Sequence, residues 1–399
     1  MFLPSENISF MRKLLTSPNA MSLSSTEQTI YQNALSFVAD LSLNLMAVKV
    51  ENHPENFLNW CAELHRICLH DVNRELLEPN QEKPLKKLQE TLSTGVSACQ
   101  LKMARVIPWP MFAGFLQDSA TLQALPERLK LLDYVAGIRS NSLVEMIEED
   151  RLVFAGKHTA QHDVSVYMFD VEWFAGTRGA KTFHQLLKSH PAAFDKALAT
   201  IPLEGEVTLS HYENFVSAYK AIFAEHASDE KAPLTAATRL LAMRRPDQFI
   251  ALTNAKLDIL SQGLGLVKLN NQSFDDYWHE LIATIRSTQW WNCEMPSDEV
   301  ELHLWKNRAV LIDLFLFADD SLAANSNYIR MRDKPKKIKI GVAKAVKRSK
   351  ASAEAIVDKA FEADDIPEFI INMRSTIVNS VKDGKTVDQA ITLMRNIFG

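Results

Sequence analysis

The spacing of hydrophobic residues along the chain predicts a protein built mainly from amphipathic helices. Apolar residues recur at three- and four-residue steps from about 24 to 48, after Pro54, and over 85–92. Pro108, Pro110 and Pro126 then divide the chain into shorter helices, because proline interrupts a helix interior. The same spacing predicts helices over 181–189 and 210–226, and three short ones after residue 351.

One segment, 151–174, departs from the helical pattern. It contains RLVFAG and VSVYMF, whose β-branched and aromatic residues are typical of strands. We expect a small sheet or hairpin here. The predicted fold is therefore mainly α and multi-helical, with a small β element near residues 151–174.

The densest local signals lie in the stretch 233–317. It reads as a helix, a turn at Pro246-Asp247, a short buried extended piece at 249–252, a second helix and two further amphipathic helices. Arg244 and Arg245 end the first helix, where positive side chains favour the carbonyl end. We expect Asn254 to cap the second helix.

A chain of 399 residues is long enough for two or three domains. We expect an N-terminal helical domain at 1–150 and a central, mainly helical domain with the β element at 151–325. A basic linker at 326–350 and a C-terminal helical bundle or docking arm at 351–399 would follow.

The cysteine pattern favours a reducing compartment. Four cysteines are too few and too unevenly spaced for the disulfide framework of a small secreted domain. The first residues lack the pattern of a signal peptide, and no window has the uninterrupted apolar length of a membrane span. We expect a cytoplasmic protein without membrane contact.

The net charge of −5 conceals a strongly basic segment, 330–350. This segment contains ten lysines and arginines against the single Asp333, so the remainder of the chain is acidic. Such a segment can neutralise several phosphates of a nucleic acid. A solvated linker, or a strip that docks on the acidic remainder, is the alternative. The candidate nucleic-acid-binding residues are Arg330, Arg332, Lys334, Lys336, Lys337, Lys339, Lys344, Lys347, Arg348 and Lys350, with Arg244 and Arg245 as possible helpers.

Tryptophan is concentrated between residues 278 and 305, which include Trp278, Trp290, Trp291 and Trp305. Indole rings can stack on unpaired bases. Large aromatic residues more often pack helices together, and we favour that interpretation here.

Two further groups have the residue types of a metal site. The first is one face of a predicted helix that carries Cys61, His65 and Cys68. That face also continues an apolar stripe, and we favour packing there.

The second group is acidic. Asp170 and Glu172 would share one face of an extended segment and could hold a divalent ion for phosphodiester hydrolysis. Lys157 and Lys181 could then stabilise a phosphate. Charged side chains on an edge strand are the alternative.

The step from Arg244 through Pro246-Asp247 to the helix after Thr253 resembles a module of uncharacterised bacterial proteins associated with restriction and phage defence. More distantly, it resembles the strand-to-helix step of helix-hairpin-helix DNA glycosylases. Those enzymes have a catalytic aspartate where this chain has Thr253 and Asn254, so the resemblance does not imply glycosylase chemistry.

Together these observations predict a DNA-associated, non-catalytic subunit of a multi-component bacterial defence system, either restriction or anti-phage. Its expected partners are nucleic acid, with DNA favoured, and other protein subunits; we expect no cofactor and no metal. One alternative is a metal-dependent nuclease that uses Asp170 and Glu172. The other is a protein-interaction scaffold that does not bind nucleic acid.

Overall fold

The computed structural model describes residues 23–42, 57–334, 352–362 and 366–398, and these residues are mainly helical. Described residues through Lys334 form one compact unit, and those after Pro335 belong to a second. The helices of the first unit are α1 (Ser25–Ser42), α2 (Phe57–His70), α3 (Glu82–Ala104), α4 (Trp109–Asp118), α5 (Leu125–Ile138), α6 (Glu148–Ala155), α7 (Lys181–Ser189), α8 (Pro191–Ala199), α9 (Leu209–His226), α10 (Leu234–Arg244), α11 (Asn254–Leu264), α12 (274–286), α13 (Glu299–Trp305), α14 (Ser321–Ala324) and α15 (Asn327–Arg332).

Three elements of this unit depart from regular α-helix. The middle of α12, Tyr277–Ile282, is π-helical, and the segments Arg74–Leu76 and Val310–Phe315 are 3₁₀ helices. The predicted helix over 181–189 is confirmed as α7, and the one over 210–226 is confirmed as α9 with a single additional residue at its start.

The long helix α3 joins the two hydrophobic clusters of the first unit. Its first part, including Leu88 and Leu92, packs with α1 and α2, while Leu101 and Ala104 belong to the larger cluster with α11 and the 3₁₀ segment. Two glycines permit this close packing. A Cβ at Gly95 would lie 2.6 Å from Sγ of Cys61, and one at Gly263 would lie 2.5 Å from Cβ of Leu101.

The buried segment 249–252 connects α10 to α11 without forming a strand. Its backbone groups instead pair with side chains: the Ile250 amide donates to the Tyr277 hydroxyl, which donates back to the Ile250 carbonyl. The Leu252 amide donates to Oγ1 of Thr238. The expected cap at Asn254 is wrong, since Asn254 is the first residue of α11, and Thr253 at the N-cap makes no side-chain capping bond.

The expected β element at 151–174 is wrong, because no strand occurs in the described part of the chain. Its first residues belong to α6, and the rest form turns. Arg239, which is fully buried, explains why this irregular segment is stable. Its guanidinium donates to the carbonyls of Val153 and Phe154 at the end of α6, and to those of Val171 and Trp173 in the turns. One side chain thus satisfies buried backbone groups from both ends of the segment.

The expected domain limits stay predictions, and they fall at the following places in the fold. Residue 150 falls within α6, and one hydrophobic cluster includes Val135 before it and Phe174 after it. The division between the compact units falls between Lys334 and Pro335, inside the expected linker 326–350. The first residues of that expected linker are helical, because Ser326 caps α15 by accepting a hydrogen bond from the Ile329 amide.

The second unit contains α16 (Ala353–Phe361), α17 (Glu368–Asn372), α18 (Arg374–Lys382) and α19 (Val387–Phe398). The middle helix expected from the sequence is divided at Met373 into α17 and α18. A small core holds the helices together, assisted by an ion pair between Arg374 and Asp358. The buried residues of this core are Val357, Ile370, Ile377, Val378, Ala390 and Met394.

Within the described residues, none of the helices has the length and apolar character needed to cross a membrane.

Candidate functional site

Three of the predicted phosphate-binding residues lie in or beside α15 and are exposed: Arg330, Arg332 and Lys334. Arg330 donates to the side chain of Asn327, and Arg332 pairs with Asp333 at 2.7 Å. The other predicted residues of the basic segment lie outside the described residues. They are Lys336, Lys337, Lys339, Lys344, Lys347, Arg348 and Lys350.

Arg244 and Arg245 lie at the end of α10, but their side chains bind carbonyls of other segments. Arg244 donates to the carbonyls of Ile201 and Arg139, at 3.3 and 2.9 Å. Arg245 donates to the carbonyls of Pro202 and Gly205 and forms a two-point ion pair with Asp247. All three guanidinium nitrogens of Arg245 are therefore engaged, and this residue fixes the turn after α8.

A cavity of about 970 Å³ adjoins Arg245. Its lining comes from α5, the turn 203–206, residues 245–248, the end of α12, Trp291 and α13 with the residues that follow it. We call it the Arg–Trp cavity, after Arg245, Arg286, Arg308, Trp291 and Trp305 in its lining.

Arg308 is held between two indole rings of this cavity. Its Cζ lies 4.1 Å from the ring centroid of Trp305 and 4.6 Å from that of Trp291. The residue is only 6% exposed, and its Nε is buried without a hydrogen-bond partner in the described structure. Burial lowers the pKa of this guanidinium below its usual value. Its Nη1 donates to the Trp305 carbonyl at 2.9 Å. Because an unpaired buried donor is costly, the free Nε makes Arg308 a candidate ligand contact.

Arg286 has a similar environment. Its Cζ lies 4.6 Å from the ring centroid of Trp278 and 5.8 Å from that of Trp291. One nitrogen donates to the side-chain oxygen of Gln248, while the buried Nε has no partner in the described part of the chain. Burial again lowers the pKa of the guanidinium. The two arginines thus combine aromatic stacking with unused donors.

Asp247 is the carboxylate that balances part of this charge. Burial opposes its ionised form, but the ion pair with Arg245 and a hydrogen bond from Gln248 hold the pKa of Asp247 below its usual value. It is therefore an anion at neutral pH. Asp133, Glu204 and Glu206 add three further carboxylates to the lining. Against these four carboxylates stand five arginine and lysine side chains, so the formal charge of the lining is only about +1.

The lining also contains polar groups that are not charged. Side-chain amides are the groups that pair with the edges of bases, and the lining contains those of Gln248, Asn292 and Asn307. Their nitrogens already donate within the protein, and the Gln248 oxygen already accepts from Arg286. The oxygens of Asn292 and Asn307 are therefore the amide groups without a partner in the described structure. At the rim, a ring nitrogen of His303 lies 2.7 Å from a carboxylate oxygen of Asp133. The cavity therefore offers cations, aromatic faces and amides together.

The four clustered tryptophans differ in burial. Trp278 and Trp290 are buried, and the indole of Trp290 donates to the Ala104 carbonyl and stacks on Phe112 at 4.2 Å. Trp291 and Trp305 are half-buried in the cavity lining. Trp291 and Trp305 also pack against the main hydrophobic cluster. The packing interpretation therefore holds for all four, and the second pair lies in addition at the candidate site.

Asp170 and Glu172 are close together, as the sequence predicted, but protein donors occupy their oxygens. Asp170 accepts from the backbone and side-chain nitrogens of Asn327, and also from the Glu172 amide. Glu172 accepts from the His158 amide, from Arg178 and from the Asn327 side chain. These carboxylates fasten the start of α15 to the rest of the unit. Lys157 and Lys181 line a separate pocket that includes neither carboxylate.

Cys61, His65 and Cys68 are buried on one face of α2, within the hydrophobic cluster shared with α1 and α3. The ring of His65 lies 4.4 Å from that of Phe317, and burial raises the pKa of the Cys68 thiol to about 12. Across the described ranges, no group of three or more histidines, cysteines or carboxylates has a geometry that could hold a metal ion.

Comparison with known proteins adds nothing to these geometric observations: no family model matches the chain, and neither does a curated protein or a solved structure. Sequence reasoning missed Arg286 and Arg308, which occur singly and far from Arg245 in the chain. The signal that could have found them is their proximity to the tryptophan-rich stretch, where arginine and indole readily stack.

Proposed function

We propose that the protein is a DNA-associated, non-catalytic subunit of a multi-component bacterial defence system, acting in the cytoplasm. We propose further that the Arg–Trp cavity holds an unpaired nucleotide of the bound nucleic acid. The observation that carries this proposal is the guanidinium of Arg308, stacked between Trp291 and Trp305 with a buried Nε that lacks a partner in the described structure.

The chemistry of the cavity suits a nucleotide for three reasons. Its arginines favour a phosphate, because planar guanidinium groups form paired hydrogen bonds with phosphate oxygens. Indole faces stack on any base, and amide side chains pair with base edges. A volume of about 970 Å³ is at the upper end of the ordinary range for a ligand site.

Arg330, Arg332 and Lys334 support the same proposal, because they are exposed at the start of the basic segment. We propose that this segment contacts neighbouring phosphates and supplies affinity that does not depend on base sequence. In this arrangement, the basic residues draw the strand to the protein, and the cavity selects an unpaired nucleotide.

We propose a defence system with other subunits because the stretch around Arg244–Asn254 resembles bacterial restriction and phage-defence proteins. The C-terminal unit has its own small core, and we propose it as the arm that docks another subunit. The hydrogen-bonded state of Asp170 and Glu172 favours the non-catalytic proposal over the nuclease alternative.

Fluorescence anisotropy with the full-length protein tests this function. Labelled single strands and blunt duplexes of equal length are titrated at several salt concentrations. We expect tighter binding to single strands, because a duplex must first unstack a base, and a logarithmic affinity that falls linearly with the logarithm of salt. Absence of binding at low salt would contradict the proposal and favour a scaffold that binds only proteins.

A further inference from the structure

A second, smaller pocket of about 410 Å³ lies between α6 and α7, and its charged lining is mostly basic. Arg151 and Lys157 come from the α6 side, and Lys181 and Lys188 from α7, with Glu148 as the carboxylate among the lining residues. We call it the α6–α7 pocket. Four cations against one anion make it strongly electropositive.

Most of this charge has no acidic partner. Glu148 pairs with Lys188 at 2.9 Å, which accounts for one cation. Among the residues that the structure describes, Arg151, Lys157 and Lys181 form no ion pair, and Nε of Arg151 is buried without a hydrogen-bond partner. Three uncompensated cations around one pocket repel one another, and an anion between them would relieve that repulsion.

His184 provides a second and independent indication of a ligand. It lines the pocket and is only 7% exposed. Its Nε2 lies 3.0 Å from Oγ1 and 3.1 Å from the carbonyl oxygen of Thr177. Because that hydroxyl donates to the Ala155 carbonyl, Nε2 must carry the hydrogen. The Nδ1 atom is then an acceptor, and it is buried without a partner in the described structure.

The helix itself adds to the attraction for an anion. Lys181 is the first residue of α7, and Ala180 at the N-cap has no side chain that can bond to the first-turn amides. The start of a helix carries partial positive charge, and its free amides bind anions.

We propose that the α6–α7 pocket binds a phosphate monoester that also carries a hydroxyl group. A monoester has about −1.5 to −2 charges at neutral pH and three acceptor oxygens, which suits Arg151, Lys157 and Lys181. The hydroxyl supplies the donor that Nδ1 of His184 lacks. The pocket volume of about 410 Å³ is in the range of small-molecule sites.

Two sources share this chemistry: a free sugar phosphate or nucleotide, and the phosphorylated 5′ end of a strand. The inference concerns a different cavity from the Arg–Trp cavity and does not depend on the function proposed for it.

Isothermal titration calorimetry with the full-length protein tests the inference. The probes are ribose 5-phosphate, inorganic phosphate, and a short oligonucleotide with either a 5′-phosphate or a 5′-hydroxyl. We expect ribose 5-phosphate to bind more tightly than inorganic phosphate. Exchanging both Lys157 and Lys181 for Gln should weaken ribose 5-phosphate binding by about tenfold or more, the loss expected for charge-assisted hydrogen bonds.

Lys196→Gln is the matched control, since Lys196 is exposed on α8 and does not line the pocket. Thermal unfolding without ligand shows whether each variant is folded; Lys157 is half-buried and Lys181 exposed, so we expect little change. A preference for the 5′-phosphorylated strand that the double variant removes and Arg308→Gln retains would identify the strand end as the source. Ribose 5-phosphate binding that the double variant leaves unaltered, or no binding of any phosphomonoester, would overturn the inference.

Discussion

The guanidinium of Arg308 lies over the indole of Trp305, with Cζ 4.1 Å from the ring centroid, while Trp291 covers it from another direction at 4.6 Å. Stacking of this kind fixes the plane of a guanidinium without using its N–H groups. The guanidinium of Arg245, by contrast, donates hydrogen bonds to Asp247 and to two backbone carbonyls. Arg308 donates from Nη1 to the Trp305 carbonyl at 2.9 Å, while its Nε has no partner in the described structure. The same cavity therefore contains one arginine whose nitrogens are all engaged and another that retains an unpaired donor.

Replacing Arg308 with Gln should weaken binding of a single-stranded oligonucleotide by about tenfold or more, because at least one charge-assisted hydrogen bond to phosphate is lost. Fluorescence anisotropy at constant salt measures the change. Arg74→Gln is a suitable control, since Arg74 is exposed in a 3₁₀ turn away from the cavity. Equal affinities for the two variants would exclude Arg308 as a ligand contact.

Charge reversal at Lys336, Lys337, Lys347 and Arg348 should affect the salt dependence of binding. Each phosphate contact to a single strand contributes about 0.7 to the slope of logarithmic affinity against logarithmic salt. Losing four contacts should therefore reduce the slope by about 3. Reversal of Lys86 and Lys87, exposed on α3, provides the control. An unaltered slope would show that the basic segment does not contact phosphates.

Asp313 should be essential to the stability of the first unit. This buried carboxylate pairs with Arg128 at 2.7 Å and also with Lys256. Asp313→Asn leaves two buried cations without their anion, and we expect a loss of about 3–5 kcal/mol in the free energy of unfolding. Chemical denaturation measures it. Asp333→Asn, at an exposed ion pair, should leave the free energy of unfolding nearly unchanged.

Asp313 should also make the free energy of unfolding depend on pH. Burial opposes ionisation of Asp313, but Lys256 and Arg128 outweigh it and hold the pKa of Asp313 below its usual value. The stabilisation from this carboxylate is therefore fully present above the unfolded pKa of about 4, and it is lost as the pH falls towards the folded pKa. Denaturation of the unaltered protein from pH 7 to pH 3 should show this loss. Asp313→Asn should lack that component of the acid dependence.

Replacing Asp170 and Glu172 with Asn and Gln should loosen α15, because Asn327 loses its charged acceptors. Hydrogen exchange of residues 326–332 should become faster, with no comparable effect in α9. Plasmid nicking with magnesium or manganese provides the functional readout. A metal-dependent activity that the double variant abolishes would contradict the non-catalytic proposal and favour the nuclease alternative.

Helices were predictable here because their signals are local. The hydrophobic spacing over 181–189 predicted α7 correctly, and Arg244 stands at a helix end as expected. The β element was not predictable, because the hydrogen-bond partner of that segment is Arg239, which is distant in sequence. β-Branched and aromatic residues in this segment indicate burial, and burial alone does not specify a strand.

The candidate site was predictable only in part, for a related reason. A run of tryptophans is visible in the sequence, but the convergence of Arg286 and Arg308 on Trp291 depends on how α12 and α13 pack. The proximity of Asp170 and Glu172 was anticipated, whereas their engagement by Asn327 was not, since it comes from a helix more than 150 residues later in the chain.

Photocrosslinking tests most directly whether an unpaired nucleotide occupies the Arg–Trp cavity. A single strand carrying 5-iodouracil is irradiated with the full-length protein, and the modified peptides are identified by mass spectrometry. We predict attachment at Trp291 or Trp305, strongly reduced in Arg308→Gln at equal protein concentration. Crosslinks confined to other regions, with the unaltered protein and Arg308→Gln giving the same pattern, would contradict the claim.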